Sequence, residues 1–266
     1  MQELLLAIRK YYDGYLPEDP QSLLDRFTWL TACGSLLLPE YRFKWPQMEW
    51  WNNSAFTAYL ERFGEERGMN ADRRWNLFQL LRLIADMPGD TAECGCYQGA
   101  SSYLMCLLNQ DAAPGRVHHI FDSFAGLSEP DAALDGTHWT KHALSATEAE
   151  AHAALHDFAG SYQLYKGWIP ERFAEVAGRC FAFAHIDVDL YAPTRDSIAF
   201  FYPRLLPGGI LLCDDYGFTS CPGATRAIDD FLRDKPEKML ACASGGGFFI
   251  KDRSVVAGTL HKNRTA

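Results

Sequence analysis

Two apolar runs in this chain each stop at a cluster of carboxylates. Residues 181–187 lead into Asp187-Val188-Asp189-Leu190-Tyr191, and residues 209–214 lead into Asp214-Asp215-Tyr216-Gly217. Short apolar runs of this kind read as buried strands. A carboxylate taken out of water costs several kcal/mol unless something cationic compensates it. Solvated turns would account for either cluster alone. Both together point to one shared cation at the rim of a sheet, and a hard, oxygen-liganded ion such as Mg²⁺ suits them.

The surrounding pattern extends that sheet. Strand candidates at 91–94, 116–121, 162–166, 181–187 and 209–214 alternate with helical stretches at about 100–109, 147–157, 170–176 and 192–204. This is the rhythm of a mostly parallel α/β sheet with helices on both faces. Pro222 opens a further helix whose apolar face is Ala224, Ala227, Ile228, Phe231 and Leu232. Lys238–Ala243, a turn at Gly245-Gly246-Gly247, and Phe248–Ile250 then read as an antiparallel hairpin. A Rossmann-like sheet that ends this way is the pattern of a class I methyltransferase. Upstream, residues 1–70 are aromatic-rich, with Tyr11, Tyr12, Tyr15, Phe27, Trp29, Tyr41, Phe43, Trp45, Trp50 and Trp51. They read as a helical cap or lid, helical over 53–68. The catalytic domain is expected over 71–256 and a frayed tail over 257–266. Residues 71–86 form a helix with Trp75, Phe78, Leu81 and Leu83-Ile84 as its stripe, ended by Pro88-Gly89.

Composition narrows the partners. A net charge of -9 argues against nucleic acid or an anionic membrane surface. The eight cysteines show neither a disulfide framework nor a zinc spacing, so a reducing cytoplasm is the expected compartment. The opening residues lack the order of a signal peptide, and no run approaches the roughly 20 apolar residues of a membrane helix.

Three further motifs carry chemistry. The first strand runs into Glu93-Cys94-Gly95-Cys96-Tyr97-Gln98-Gly99 and then a helix. The pattern is ExGxxxG, whereas a dinucleotide pyrophosphate requires GxGxxG. It suits the amino-acid tail of S-adenosylmethionine, with a ligand-free tight turn as the plain alternative. Asp122, followed by Ser123, ends the second strand where a carboxylate can accept hydrogen bonds from ribose hydroxyls. Gly167 and Trp168 follow the third strand, beside where an adenine would lie. At the acidic edge, Asp187, Asp214 and Asp215 are the candidate metal ligands. Strand alternation places Asp189 on the same side as Asp187, within reach of a proton. His185 shares that parity but sits deeper, and reads as a hydrogen-bonded core residue.

Taken in order, Phe121-Asp122-Ser123-Phe124-Ala125-Gly126-Leu127, the run His185-Ile186-Asp187-Val188-Asp189-Leu190-Tyr191-Ala192-Pro193-Thr194-Arg195, Tyr202-Pro203-Arg204-Leu205, Pro207-Gly208-Gly209, Asp214-Asp215-Tyr216-Gly217 and Cys221-Pro222-Gly223-Ala224 resemble the macrocin O-methyltransferase family over roughly residues 71–252. Members of that family methylate sugar hydroxyls on macrolide and aminocoumarin antibiotics with S-adenosylmethionine and Mg²⁺. The resemblance implies that Asp187, Asp214 and Asp215 are metal ligands and that Asp189 is the general base. It also implies that Glu93, Gly95 and Asp122 lie at the cofactor. Gln98 departs from the family, whose members often carry a basic residue there, and the N-terminal region matches loosely.

The expected activity is O-methylation of a sugar or related vicinal-diol acceptor in natural-product or glycoconjugate biosynthesis. Residues 130–146, without clear periodicity, are expected to cover that acceptor together with part of the N-terminal region. The aromatic N-terminus would serve a homo-oligomer interface equally well. Two other readings stand beside this one. Asp187 and Asp189 form a DxD of the kind metal-dependent glycosyltransferases use, and the chain could be a non-catalytic subunit that binds S-adenosylmethionine.

Overall fold

The computed structural model describes residues 53–65, 70–110 and 115–252, together with Gly34 and Trp50. The chain divides into two compact units, Met1–Ala71 and Asp72–Ala266. In the first, helix α1 spans Ser54–Arg62. The Asn53 side chain caps it by accepting the Phe56 N–H at 2.9 Å, and Phe56, Tyr59 and Leu60 form its buried face. It ends short of the expected residue 68, at Gly64 in the left-handed region. The aromatic residues expected upstream of Trp50, the neighbouring Trp51 and the 257–266 tail lie outside the described residues.

Helix α2 spans Ala71–Leu83. Its buried stripe is Leu77, Leu80, Leu81 and Ile84, while Leu83 is exposed. The expected stripe through Trp75 and Phe78 is therefore displaced. Those two rings stack on each other at 5.2 Å on a half-buried face. Aromatic residues recur at helical spacing there, but the aliphatic ones fill the core.

The second unit continues with β1 (Asp90–Cys94), α3 (Ala100–Gln110), β2 (His118–Asp122), α4 (Ala132–Asp135) and α5 (Glu148–Ala154). Then come β3 (Tyr162–Lys166), β4 (Phe181–Ile186), α6 (Tyr191–Phe201), β5 (Leu205–Cys213), α7 (Pro222–Leu232), β6 (Leu240–Ala241) and β7 (Gly247–Ile250). The seven strands make one sheet in the order β3-β2-β1-β4-β5-β7-β6. Strands β1 to β5 are parallel, and β7 runs antiparallel to both β5 and β6. The α/β expectation and the closing hairpin match this sheet. Two elements differ locally. Residues 170–176 form only a 3-10 turn at Phe173–Val176. Strand β5 starts at Leu205, four residues early, because Pro207-Gly208-Gly209 is taken into the strand across a register shift opposite Phe181 and Phe183.

The chain winds from β1 outward to β2 and β3, then returns to lay β4 and β5 on the other side of β1. The β1–β4 boundary is thus the point of reversal, where open α/β sheets bind ligands beyond the carboxyl ends of their strands. Three strands end level with one another there. Cys94 is paired with Ile186, and Ile186 with Cys213. The ladder runs one bond further on each side, with Asp187 N donating to Cys94 O at 2.9 Å and Asp214 N to Ile186 O at 2.8 Å. Beneath this edge, Phe121 stacks on Tyr165 at 4.7 Å and meets Phe173 and Phe201 edge-on. Among the described residues no helix is long and apolar enough to cross a membrane.

Gly95 sits at the reversal point with φ 82°, and a Cβ there would run into the Asp187 carbonyl oxygen. Gly160, with φ 88°, has open space around it. Alanine at Gly160 should cost about 1–2 kcal/mol for the left-handed backbone. Alanine at Gly95 adds a backbone collision and should cost ~3 kcal/mol or more. Urea unfolding of the two variants measures the difference.

Candidate active site

The level strand ends bring the predicted residues to one edge in two adjacent groups. The cofactor candidates follow β1, β2 and β3, and the acidic candidates follow β4 and β5. Between the first group's loops Asp122 is the anchor. Its Oδ2 accepts the N–H groups of Cys96 (2.8 Å) and Tyr97 (3.1 Å), and Oδ1 accepts that of Phe124 (2.8 Å). One carboxylate therefore holds the glycine loop closed and fixes its own turn. Ser123 Oγ accepts the Ala125 N–H and donates to Gly126 O, closing the next turn. Gly99 packs against Ala151 and Ala154 of α5. Gly167 N donates to Asp122 O at 3.0 Å, and Trp168 beside it is half-buried.

Glu93 is placed differently from the rest of that group. It is fully buried. Register sets it beside His185, whose Nδ1 lies 2.8 Å from Glu93 Oε1. Ser102 Oγ donates to the other oxygen, and His118 Nε2 approaches it to 3.6 Å. Burial would push this carboxyl upward, but the neighbouring His118 and His185 outweigh it and hold it well below the usual range. Its bond to Nδ1 orients His185.

The acidic residues separate into two clusters. Asp187, Asp214 and His185 have ligand atoms within 4.8 Å of one another, as do Asp189, Asp215 and Cys221. In the first cluster Arg73, from the first turn of α2, pairs with Asp214 through Nη2, and the same nitrogen lies 3.7 Å from Asp187 Oδ1. His185 Nε2 points at Asp214 Oδ1 from 3.8 Å and is buried without a hydrogen-bond partner. Asp214 is 3% exposed, and the Asp187 side chain 25%. Two carboxylates and an imidazole nitrogen with no other partner fit a divalent ion.

In the second cluster Asp215 Oδ2 accepts the N–H groups of Val188 (3.1 Å) and Asp189 (2.8 Å). That bond turns the chain after β4 and sets Asp189 in the left-handed region at φ 58°. Alternation along a strand was the wrong route to Asp189, because the strand stops at Ile186. Asp189 reaches its position through this turn. Asp215 thus faces Asp189 within this cluster, and is not grouped with Asp187 and Asp214. Cys221 donates its thiol to Asp189 Oδ1 at 3.5 Å and accepts the Trp139 indole N–H at 3.3 Å. Burial, then the charge of Asp187, push the Asp189 carboxyl up to about 7. Burial, then Asp189 and Asp187, raise Asp215 well above the usual range.

The 130–146 segment is pinned to the 125–127 turn through His142 and Ala143, and at two points to the acidic edge. Asp135 is buried and accepts the Asp131 N–H (2.9 Å) and the Tyr191 N–H (2.7 Å), so it caps the start of α6. Trp139 is the second point, on Cys221. Sequence reasoning missed Arg73 as part of this edge, and it gave Trp139 and Cys221 no contact with Asp189. The one available signal for Arg73 was the demand of buried acids for a cation, but nothing in the spacing selects a partner 141 residues away.

A seven-stranded sheet of this order, parallel but for its final hairpin and rimmed by a glycine loop and acidic strand ends, is the class I methyltransferase fold. The family model described as Macrocin-O-methyltransferase (TylF) matches residues 68–240, and the chain belongs to that family. Demethyldecarbamoylnovobiocin O-methyltransferase of Streptomyces niveus is 27% identical over 158 residues, 55% of this chain and 59% of that protein. A second relative, the 8-demethyl-8-(2,3-dimethoxy-alpha-L-rhamnosyl)-tetracenomycin-C 4'-O-methyltransferase of Streptomyces olivaceus, is 29% identical over 153 residues, 53% of this chain and 59% of that protein. The chain thus spans about three-fifths of the length of these curated relatives. Among solved structures, CalS11, a calicheamicin methyltransferase, superposes with a TM-score of 0.62 at 21% identity, over 90% of this chain and 96% of that one. At that identity the likeness concerns the fold.

The raised Asp189 and Asp215 carboxyls make the metal-free protein sensitive to pH. A group protonated more readily folded than unfolded weakens the fold as pH rises from its unfolded value, 3.8, and the loss is complete above about 7 for Asp189. In chelator-treated protein, Asp189→Asn should gain stability relative to wild type between pH 5 and pH 8, by up to a few kcal/mol. Urea midpoints at the two pH values read that gain; a constant difference would contradict the burial cost.

Proposed function

We propose that the chain is an S-adenosylmethionine-dependent O-methyltransferase, assisted by a divalent cation such as Mg²⁺, that acts on a hydroxyl of a sugar or related vicinal diol in natural-product or glycoconjugate biosynthesis. The observation that carries this is the pair of acidic clusters beyond β4 and β5, next to the β1–β2 loops anchored by Asp122. The relatives' names support the reaction type: one is a novobiocin-precursor O-methyltransferase and another methylates a rhamnosyl tetracenomycin at a 4' oxygen. The DxD reading draws no support from the geometry, since Asp187 and Asp189 belong to different clusters.

When bound, S-adenosylmethionine supplies the methyl group and the cation lowers the pKa of an acceptor hydroxyl. Asp187 and Asp214 would hold the cation, with Asp215 fixing the turn that carries Asp189. The glycine loop, Ser123, Gly167 and Trp168 would frame the cofactor, with Asp122 holding the loop and offering its remaining Oδ1 lone pair to a ribose hydroxyl. Asp189 would take the proton of the reacting hydroxyl. Burial, which persists when the ion is bound, raises this carboxyl above the ordinary aspartate range and makes it a stronger base. The Cys221 thiol and the Trp139 indole behind it limit the directions Asp189 can face. The rest is alignment of oxygen, methyl carbon and sulfur.

Transfer of radiolabelled methyl groups to a panel of glycosides and diols tests the activity. Asp189→Asn should lower kcat by about 10²–10⁴-fold. Asp214→Asn should lower it ~100-fold or more while S-adenosylhomocysteine still binds in calorimetry. Full activity in EDTA, with no metal in the protein by elemental analysis, would remove the cation from the reading.

A further inference from the structure

The pair Asp187 and Asp214 already faces a cation that belongs to the chain. We propose that Arg73 is a tethered counter-ion of this site: its guanidinium takes the position of a divalent cation between the two carboxylates, and the ion enters by displacing it. The inference rests on reading the cluster as a divalent-cation site.

The pairing geometry supports this first. An arginine that anchors a carboxylate permanently does so best with two parallel N–H bonds. Here a single nitrogen, Nη2, serves both carboxylates, meeting Asp214 and lying 3.7 Å from Asp187 Oδ1. It acts as a point charge shared by two acids, which is a metal ion's arrangement. The polar atoms around it point the same way. Arg73 Nε and His185 Nε2 are both buried without a hydrogen-bond partner. Lasting buried ion pairs ordinarily satisfy their remaining donors and acceptors. His185 Nε2 belongs to a side chain with no solvent exposure and is aimed at Asp214 Oδ1, so the cluster retains an unused donor atom while arginine fills it.

The way out for the arginine is also built. Its side chain is 20% exposed, so the residue is in reach of solvent. It lies 5.1 Å from the centroid of the Phe218 ring, four residues beyond Asp214. An aromatic face attracts a guanidinium with or without the carboxylates. Phe218 can therefore keep Arg73 at the rim once the ion holds the two acids. Two consequences follow for the site. Its carboxylates stay close together in the absence of the ion, and its affinity is lowered by the fraction of protein in which arginine has withdrawn. If that fraction is about a tenth, the apparent affinity is about tenfold weaker than the intrinsic one.

The test is Mn²⁺ binding, followed by electron paramagnetic resonance and calorimetry, in chelator-treated wild type, Arg73→Gln and Arg73→Lys. Arg73→Gln should bind Mn²⁺ about tenfold more tightly, melt at a lower temperature without the ion and show a larger ion-induced rise. Arg73→Lys keeps the charge on a shorter arm and should tighten binding by a smaller factor; it carries the test if Arg73→Gln does not fold. Binding by wild type that is unchanged or weakened in both variants overturns the proposal and leaves the cation site standing. Binding by Arg73→Gln alone shows an arginine that does not yield to the ion; it overturns displacement and removes the cation from the wild-type reaction. Binding by none of the three overturns both.

Discussion

Asp214 directly follows the buried end of β5 and is itself nearly out of solvent, and Asp187 stands level with it just beyond β4. Two carboxylates in that setting repel each other, and Asp214 loses most of its hydration, so a positive partner stabilises this edge of the sheet. Arg73 provides it from the start of α2. That ties the helix preceding the sheet to the ends of β4 and β5. The same helix donates the Asn76 amide to Ser244 Oγ at 2.6 Å, in the turn between β6 and β7. One charge requirement thus draws together parts of the chain that are far apart in sequence.

A second buried carboxylate organises the layer beneath. Glu93 collects Ser102 from α3, His118 from β2 and His185 from β4 around one fully enclosed group. Such networks are costly when partly satisfied and rigid when complete. This one fixes the ring of His185, and through it which nitrogen faces Asp214. The acidic edge is therefore supported from below by a neighbouring strand and from the side by a helix, and its groups are held before any ligand arrives.

The candidate site was legible in part. Asp122, Asp187, Asp189, Asp214 and Asp215 all sit at the expected edge, because hydrophobic runs end where the sheet ends and the acids follow directly. What could not be read was which way each acid turns. Asp214 and Asp215 are adjacent yet enter different clusters, since Asp215 is captured by the two N–H groups at Val188 and Asp189. Glu93 opens the glycine motif, but its pairing with His185 depends on strand register, which the motif does not carry. Gly95 is needed for a second reason the motif does not show: the Asp187 carbonyl leaves no space for a Cβ there.

By itself the sequence determined the alternation of strands and helices, the order of the sheet's motifs and the family to which they belong. These follow from hydrophobic periodicity and from short runs of residues, which are properties of neighbouring positions. Tertiary structure alone decided that Arg73 faces Asp214, that Cys221 and Trp139 stand behind Asp189, and that the carboxylates form two clusters. Those outcomes depend on strand register and on charges meeting across more than a hundred residues, and no local pattern encodes which distant cation will answer a buried acid.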